Sequence, residues 1–200
     1  YDFDPVSSEL NPLDGPGRRA TYELLEVGST IYAATNGLAV YENDRLEKVY
    51  GQDEGLDVDE FGFFETVAQD RAGRLWLGAH LGLSVRETDG SFHNYYIDQE
   101  IPAGIVDIKT DHRGNLWMAT HRGVAFHHYS DSLPRWIDPA FTEDVKFVQP
   151  IGKDYILLGG TNKLFFLDLK AFYRGETNIY PYDEDDGFPA AECLQSAVFQ

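Results

Sequence analysis

The stretch Asp70-Arg-Ala-Gly-Arg-Leu-Trp-Leu-Gly-Ala-His-Leu-Gly-Leu83 recurs along the chain as Asp111-His-Arg-Gly-Asn-Leu-Trp-Met-Ala-Thr-His-Arg-Gly-Val124. Six of the fourteen positions are identical, and each identical pair lies 41 residues apart. Weaker copies of the same pattern lie upstream at 31–38 and downstream at 156–164. An internal period of about 40 residues indicates a repeat architecture, and one four-stranded propeller blade has this length.

Each repeat unit has the pattern of a set of antiparallel strands. Phe64–Gln69 and Ile105–Thr110 are runs of apolar or alternating β-forming residues, as expected of inner strands. The Asp-x-x-Gly that follows predicts a tight hairpin, because the carboxylate can accept hydrogen bonds from turn amides and glycine adopts positive φ without strain. Second strands are predicted at Leu75–Ala79 and Leu116–Thr120, and third and outer strands come after them. A short turn of helix is expected only near Leu169–Phe172.

The predicted fold is all-β, with β-propeller blades of four antiparallel strands and about four blades in the chain. The expected division is an irregular lead-in or the end of a preceding blade over 1–20, four blades over 21–63, 64–104, 105–144 and 145–192, and the first strand of a further blade over 193–200. A propeller closes only when its last blade meets its first, so we expect a fragment of a larger propeller. Closure on four blades, with residues 1–8 supplying a missing strand, is the alternative.

The composition argues against several classes of function. The chain has 16 basic and 34 acidic residues, a formal net charge of −18, and this field repels a phosphate backbone. We therefore expect no nucleic-acid partner. No stretch approaches the ~18 apolar residues of a membrane-spanning helix, so we expect nothing in this chain to span a membrane. Cys193 is the single cysteine, so no intrachain disulfide can form.

The string Asp-x-x-Gly-x-Leu-Trp-[hydrophobic]-[Gly/Ala]-[Ala/Thr]-x-x-Gly-[Leu/Val] resembles the repeat of two-component regulator propellers. Gly187-Phe-Pro-Ala-Ala-Glu192 is similar to the joint between blades in that family. The resemblance covers nearly the whole chain from Tyr22 onward, although Lys163 replaces the hairpin glycine and the first and fourth units lack Asp-x-x-Gly. It implies a periplasmic, non-catalytic sensor region of a bacterial transmembrane signalling protein, with membrane contact only through parts outside this chain. Its expected partner is a small molecule such as an oligosaccharide, and a homodimer is left open.

The candidate ligand-binding residues lie in the loops at one end of the predicted blades. Propeller ligands usually bind at one end of the central channel, on loops that join second to third strands and outer to inner strands. By this geometry Asn36, His80, His121 and Arg122 share one face, surrounded by the joints 53–60, 98–100, 138–144 and 183–186. His80 and His121 occupy the same place in successive blades. The alternative is that hairpin turns favour polar residues and two of them are histidine by coincidence.

Neither catalytic residues nor a metal site are predicted. Asp183, Asp185 and Asp186 offer the closely spaced oxygens that calcium prefers, but the segment lacks the glutamate that an EF-hand loop places about six residues after its glycine. A solvated acidic loop is the favoured interpretation. His127 and His128 are neighbours on a predicted strand and point to opposite faces, so they cannot bind one metal ion. The sequence contains no Gly-x-Ser-x-Gly elbow and no phosphate-binding loop.

Two other functions stay open at this point. Streptogramin lyases are propellers with a similar Asp-x-x-Gly-x-[Ile/Leu]-Trp strand, and they use histidine and magnesium on the central face. Only His80 and His121 are placed for such chemistry here, and the lyase-type Phe-Thr-Glu after the tryptophan is missing. A protein-binding scaffold is the other alternative, which a large exposed apolar patch would favour. Trp76, Trp117 and Tyr32 could form a stacking platform for sugars, but their matching repeat positions favour packing between blades.

Overall fold

Four antiparallel sheets of four strands each follow one another along the chain. The computed structural model describes residues 21–97, 101 and 103–187, together with the backbone of 2–4 and 9–11. The strand predicted over 193–200, the lone cysteine and most of the predicted lead-in lie outside the described residues. Within the described part of the chain, no helix is long and apolar enough to cross a membrane.

The strands pair in sequence order within each sheet, from an inner to an outer strand. A short hairpin comes first, formed by β1 (Asp2–Asp4) and β2 (Glu9–Asn11). Blade 1 contains β3 (Glu23–Val27), β4 (Thr30–Thr35), β5 (Gly37–Glu42) and β6 (Arg45–Tyr50). Blade 2 contains β7 (Phe64–Gln69), β8 (Leu75–Ala79), β9 (Gly82–Arg86) and β10 (Phe92–Tyr96). Blade 3 contains β11 (Ile105–Thr110), β12 (Leu116–Thr120), β13 (Gly123–His127) and β14 (Arg135–Trp136). Blade 4 contains β15 (Phe147–Ile151), β16 (Tyr155–Gly159), β17 (Leu164–Asp168) and β18 (Ile179–Tyr182).

The predicted all-β architecture is confirmed, and the central blades agree with the sequence in detail. The predicted inner and second strands coincide with β7, β8, β11 and β12, and the predicted helical turn is α2 (Leu169–Phe172). A second four-residue helix, α1 (Val58–Phe61), was not anticipated, and neither were the 3₁₀ turns Gln52–Glu54 and Glu184–Asp186. The third strands β9 and β13 begin at the hairpin glycines Gly82 and Gly123, which already pair in the ladder.

The Asp-x-x-Gly turns form as the sequence predicts, and they also reach the core. In blade 3, Asp111 Oδ1 accepts hydrogen bonds from the backbone N–H of Arg113 (2.8 Å) and Asn115 (3.0 Å), while Oδ2 accepts one from Trp117 Nε1 (3.0 Å). Gly114 has φ of 79°, which only glycine adopts readily. Blade 2 repeats the arrangement around Asp70. Each carboxylate therefore ties its turn to the tryptophan six residues further on.

The repeated tryptophans pack between blades, as predicted, and neither exposes any surface. The Trp76 ring lies 4.2 Å from the His127 ring of blade 3, and the Trp117 ring lies 4.9 Å from Phe172, which follows β17 of blade 4. Tyr32 is partly buried and packs against the core between blades 1 and 2. The sugar-stacking interpretation is excluded for both tryptophans, because a ligand cannot reach either ring.

The two outermost blade faces expose large apolar side chains. On the side of blade 4 away from blade 3, Tyr155, Tyr180 and Tyr182 are exposed around the half-buried Leu157, which takes the place of the tryptophan. On the side of blade 1 away from blade 2, Leu24 is 62% exposed. These are the faces that a further blade of a longer propeller would bury.

The adjacent histidines of blade 3 have separate environments. His127 ends β13 and is completely buried, with Nε2 2.9 Å from the carbonyl oxygen of Asp131. His128 follows the strand, and its Nδ1 lies 2.7 Å from Ser130 Oγ. The prediction that both histidines lie on one strand is therefore wrong for His128, and the two imidazoles have different hydrogen-bond partners.

The stability of the chain is expected to fall in mild acid because of His127. Burial lowers the pKa of His127 below its ordinary value of 6.5, and the positive charge of Arg74 adds to this effect. The hydrogen bond to Asp131 and the charges of Asp70 and Asp131 raise the pKa, but they offset the lowering only in part. The unfolded chain thus binds this proton more readily, so stability is lost as pH falls through and below about 6.5. Urea unfolding between about pH 7.5 and pH 5.5 should show this slope, reduced in His127→Gln. An equal slope in that variant would contradict the assignment.

Candidate functional site

The two repeated histidines contact each other edge to face at one end of the blades. His80 occupies the turn between β8 and β9, and His121 occupies the equivalent turn between β12 and β13. His121 Nε2 is 3.3 Å from His80 Nδ1, and the ring centroids are 5.1 Å apart. His80 is exposed and His121 is half-buried, so the pair is open to solvent. The structure therefore brings together two residues that are 41 positions apart in the sequence.

Asp144 orients this histidine pair. Its Oδ1 lies 2.9 Å from His121 Nδ1, and its Oδ2 accepts a hydrogen bond from Lys146 Nζ at 2.7 Å. Burial would raise the pKa of Asp144, but the hydrogen bonds from Lys146 and His121 outweigh it and lower the pKa. A charged Asp144 favours the proton on His121 Nδ1, which leaves the Nε2 lone pair directed at His80.

Close backbone packing sets the position of both histidine turns. A Cβ atom at Gly104 would lie 2.0 Å from the His80 carbonyl oxygen, and one at Gly123 would lie 2.3 Å from the Phe141 carbonyl oxygen. The joints between blades 2 and 3 and between blades 3 and 4 therefore run directly against the turns. This packing brings Asp144, at the end of the second joint, within reach of His121.

The other two predicted ligand residues lie at the same end of the blades. Asn36 is the turn between β4 and β5 in blade 1, and its side chain is exposed. Arg122 follows His121 and is also exposed, while its backbone N–H donates to Thr120 Oγ1 at 3.0 Å. The four predicted residues therefore lie on the turns of three successive blades, and the two histidines are the pair among them that are in contact.

The joints between blades that were predicted to surround the candidate residues have different structures. The joint 53–60 contains the end of a 3₁₀ turn and most of α1, and 98–100 lies outside the described residues. In 183–186, Asp183 Oδ1 accepts a hydrogen bond from the Asp185 N–H (3.1 Å), and Asp186 Oδ2 accepts one from the Asp183 N–H (3.4 Å). The acidic loop thus caps its own 3₁₀ turn. Among the described residues, no three His, Cys, Asp or Glu side chains are grouped so as to hold a metal ion.

The sequence did not point to a polar network that crosses the inner strands. Glu23 of β3 accepts hydrogen bonds from Thr66 Oγ1 (2.5 Å) and the Val67 N–H (2.9 Å), both at Oε2. Its other oxygen pairs with Lys109 Nζ of β11, which also donates to Asp107 Oδ1 at 2.6 Å. We call Glu23, Thr66, Asp107 and Lys109 the inner-strand network. Its members lie in blades 1, 2 and 3.

Three members of the inner-strand network repeat one contact. Glu23 binds the backbone N–H of Val67 in blade 2, Thr66 Oγ1 accepts from Ile108 N in blade 3, and Asp107 Oδ2 accepts from Val148 N in blade 4, each at 2.9 Å. Each of the three also lies opposite a small residue of its own second strand. Their spacing of about 40 residues was the available signal, but three different residue types obscured it.

The charges of the inner-strand network are interdependent. Burial raises the pKa of Asp107, and the attraction of Lys109 offsets this only in part. Burial would lower the pKa of Lys109, but the carboxylates of Asp107 and Glu23 outweigh that effect and raise the pKa. Lys109 is therefore charged and is the cation that two carboxylates share.

Comparison with known proteins identifies the architecture. No protein-family model matches the sequence, and no curated protein matches it. The extracellular domain assigned to a hybrid two-component system of B. thetaiotaomicron superposes with a TM-score of 0.80 over 99% of this chain and 28% of that chain, at 14% identity. The extracellular domain assigned to a one-component system of the same organism gives 0.62 over 82% of this chain and 22% of that chain, at 19% identity.

A propeller enzyme is also among the similar structures. Virginiamycin B lyase of Staphylococcus aureus superposes with a TM-score of 0.64 at 10% identity, over 87% of this chain and 58% of that chain. Identities this low show a shared fold alone, and the propeller fold predicted from the repeats is confirmed. The chain spans roughly a quarter of the length of the two extracellular domains.

Proposed function

We propose that this chain is part of the periplasmic sensor propeller of a bacterial transmembrane signalling protein, and that it binds a small molecule without converting it. The observation that carries the proposal is the His80–His121 pair, which equivalent turns of successive blades place at the open end of the sheets. The likeness to the extracellular domains of signalling proteins supports the sensor role and the location outside the cytoplasm.

The chemistry of the pair suits a neutral, hydroxyl-rich ligand such as an oligosaccharide. His80 exposes an imidazole that can donate and accept hydrogen bonds, and Asp144 holds His121 in one orientation. Arg122 and Asn36 add exposed donors on the neighbouring turns. A ligand lying across these turns would contact several blades at once, which would couple its binding to the arrangement of the blades.

Binding is expected to depend on the histidine pair. We expect at least one member of a panel of oligosaccharides to raise the melting temperature of the chain, and His80→Ala or His121→Ala to weaken its binding about tenfold or more in calorimetric titration. His93→Ala is the matched control, because His93 is an exposed histidine on an outer strand that pairs only loosely with Glu87 at 3.6 Å. Equal affinity in all three variants would contradict a site at the histidine pair.

A turnover measurement separates a sensor from a lyase. We expect the bound compound to be recovered unchanged after prolonged incubation, with and without magnesium. Among the described residues, no three His, Cys, Asp or Glu side chains are grouped to hold a metal ion that could assist the chemistry. Appearance of a product that His80→Ala abolishes would replace the sensor proposal with the enzymatic one.

A further inference from the structure

A polar cavity of about 400 Å³ lies at the opposite end of the blades from the histidine pair. It is set between the Asp-x-x-Gly turns of blades 2 and 3, and its lining includes Gln69, Arg71, Thr110, His112, Arg113 and Gly114. The cavity lies at the turns that join first to second strands, whereas the histidine pair lies at the turns that join second to third strands. These two sets of turns are at opposite ends of the second strands. The cavity is therefore a separate site from the one proposed above.

Both arginines of the cavity are held against aromatic rings. The Arg71 guanidinium carbon lies 5.2 Å from the ring centroid of Tyr129, and that of Arg113 lies 3.7 Å from the centroid of Tyr173. Tyr173 is itself fixed, since its hydroxyl donates to Asp111. Stacking on one face orients a guanidinium and leaves its N–H edge free to bind oxygen atoms.

The carboxylate that lines the cavity does not cancel these charges. Asp70 Oδ1 accepts from the backbone N–H of Ala72 (2.9 Å) and Arg74 (3.0 Å), and Oδ2 accepts from Arg74 Nε (2.7 Å) and Trp76 Nε1 (3.0 Å). Its lone pairs are used, and Arg74 balances its charge. Two positive side chains, Arg71 and Arg113, thus line one cavity of a chain whose net charge is −18.

Gly114 allows the two turns to close around the cavity. The Arg71 N–H donates to the Gly114 carbonyl oxygen at 3.1 Å, and a Cβ atom at Gly114 would lie 2.5 Å from Arg71 Cβ. The glycine therefore permits a contact that places Arg71 directly beside the turn carrying His112 and Arg113. Residues from two blades form the lining, so an occupant would bridge the blades.

We propose that this cavity is a binding site for an oxyanion, with the guanidinium groups of Arg71 and Arg113 donating charge-assisted hydrogen bonds to its oxygens. Carboxylate and sulfate groups share the geometry that two guanidinium edges recognise. His112 lines the same cavity and adds an imidazole N–H donor. Such a site would accept the acidic group of a ligand or of a partner at this end of the blades.

The test is a titration of the isotopically labelled chain with sodium sulfate and, separately, with sodium acetate, at constant ionic strength maintained with sodium chloride. The Nε–H signals of Arg71 and Arg113 should shift in a saturable way with one shared dissociation constant. Arg71→Gln should weaken that binding about tenfold or more, because it removes one charged donor. The anion that binds more tightly identifies the preferred class of oxyanion.

Arg174→Gln is the matched control, because Arg174 is an exposed arginine whose nearest carboxylate, that of Glu176, is 3.8 Å away. It should leave the affinity unchanged. Arg113→Lys, which keeps the charge and loses the forked donor geometry, should bind more weakly than the unaltered chain and more tightly than Arg113→Gln. Linear, unsaturable shifts with both salts would overturn the proposal, and so would equal affinity in Arg71→Gln and Arg174→Gln.

Discussion

Replacing Lys109 by methionine is expected to lower the free energy of unfolding by about 3–5 kcal/mol, since it removes one partner of a buried charge network. Lys109 Nζ pairs with the carboxylates of Glu23 and Asp107, and the side chain of Asp107 is only 1% exposed. Methionine matches the length of the lysine stem and avoids a cavity. The loss would therefore come from two carboxylates left together without their cation, and urea unfolding at neutral pH measures it.

The pH dependence of the Lys109→Met variant distinguishes charge from packing. Burial already raises the pKa of Asp107, and without Lys109 the attraction that partly offsets this is lost, so the folded-state pKa rises further above the unfolded value. The stability that protonation of Asp107 supplies is present at low pH and lost as pH rises. The deficit relative to the unaltered chain should therefore be smaller near pH 4.5 than near pH 7.5. A deficit that does not change with pH would show that Lys109 acts mainly through packing.

Lys170→Met is the matched control for this experiment. Lys170 forms a 2.7 Å ion pair with Asp154, but both side chains are more than half exposed. Surface pairs of this kind contribute little to stability, because water screens both charges. A loss in Lys170→Met as large as that in Lys109→Met would contradict a special role for the inner-strand network.

The strands and turns were predictable because their determinants are local and repeated. The Asp-x-x-Gly turn requires an acceptor and a positive-φ residue within five positions, and both copies carry them. Trp76 and Trp117 occupy the same position of the repeat, and this equivalence also indicated their common role in packing between blades. The 41-residue repeat therefore predicted both the bounds of the inner and second strands in the central blades and the packing of the two tryptophan rings between blades.

The candidate site was only partly predictable. The repeat placed His80 and His121 at one end of the blades, but their 3.3 Å approach depends on how far blade 2 and blade 3 are rotated relative to each other. Asp144 lies in the joint 138–144 that was expected to surround the site, but it was one of 34 acidic residues and no feature of the sequence singled it out as the partner of His121. Contacts between blades depend on the joints and on the rotation between blades, which a repeat pattern does not specify.

Trp117→Ala is expected to destabilise the chain by about 3–5 kcal/mol, the range for loss of a fully buried large aromatic side chain. The Trp117 ring lies 4.9 Å from both Phe126 and Phe172, so its removal opens the core between blades 3 and 4. Trp117→Phe should cost about 1–3 kcal/mol, because it keeps an aromatic ring and removes the indole donor to Asp111. Chemical denaturation of the three proteins gives both values.

Leu157→Ala is the informative control, because Leu157 takes the place of the tryptophan on the outward face of blade 4. It is half-buried beside exposed tyrosines, so its truncation should cost about 1 kcal/mol, well below the range for a buried leucine. A cost near that of Trp117→Ala would mean that the outward face of blade 4 is covered in solution. Sedimentation would then show what covers this face. A dimer would mean that a second copy of the chain covers it, and a monomer would mean that another part of the same chain does.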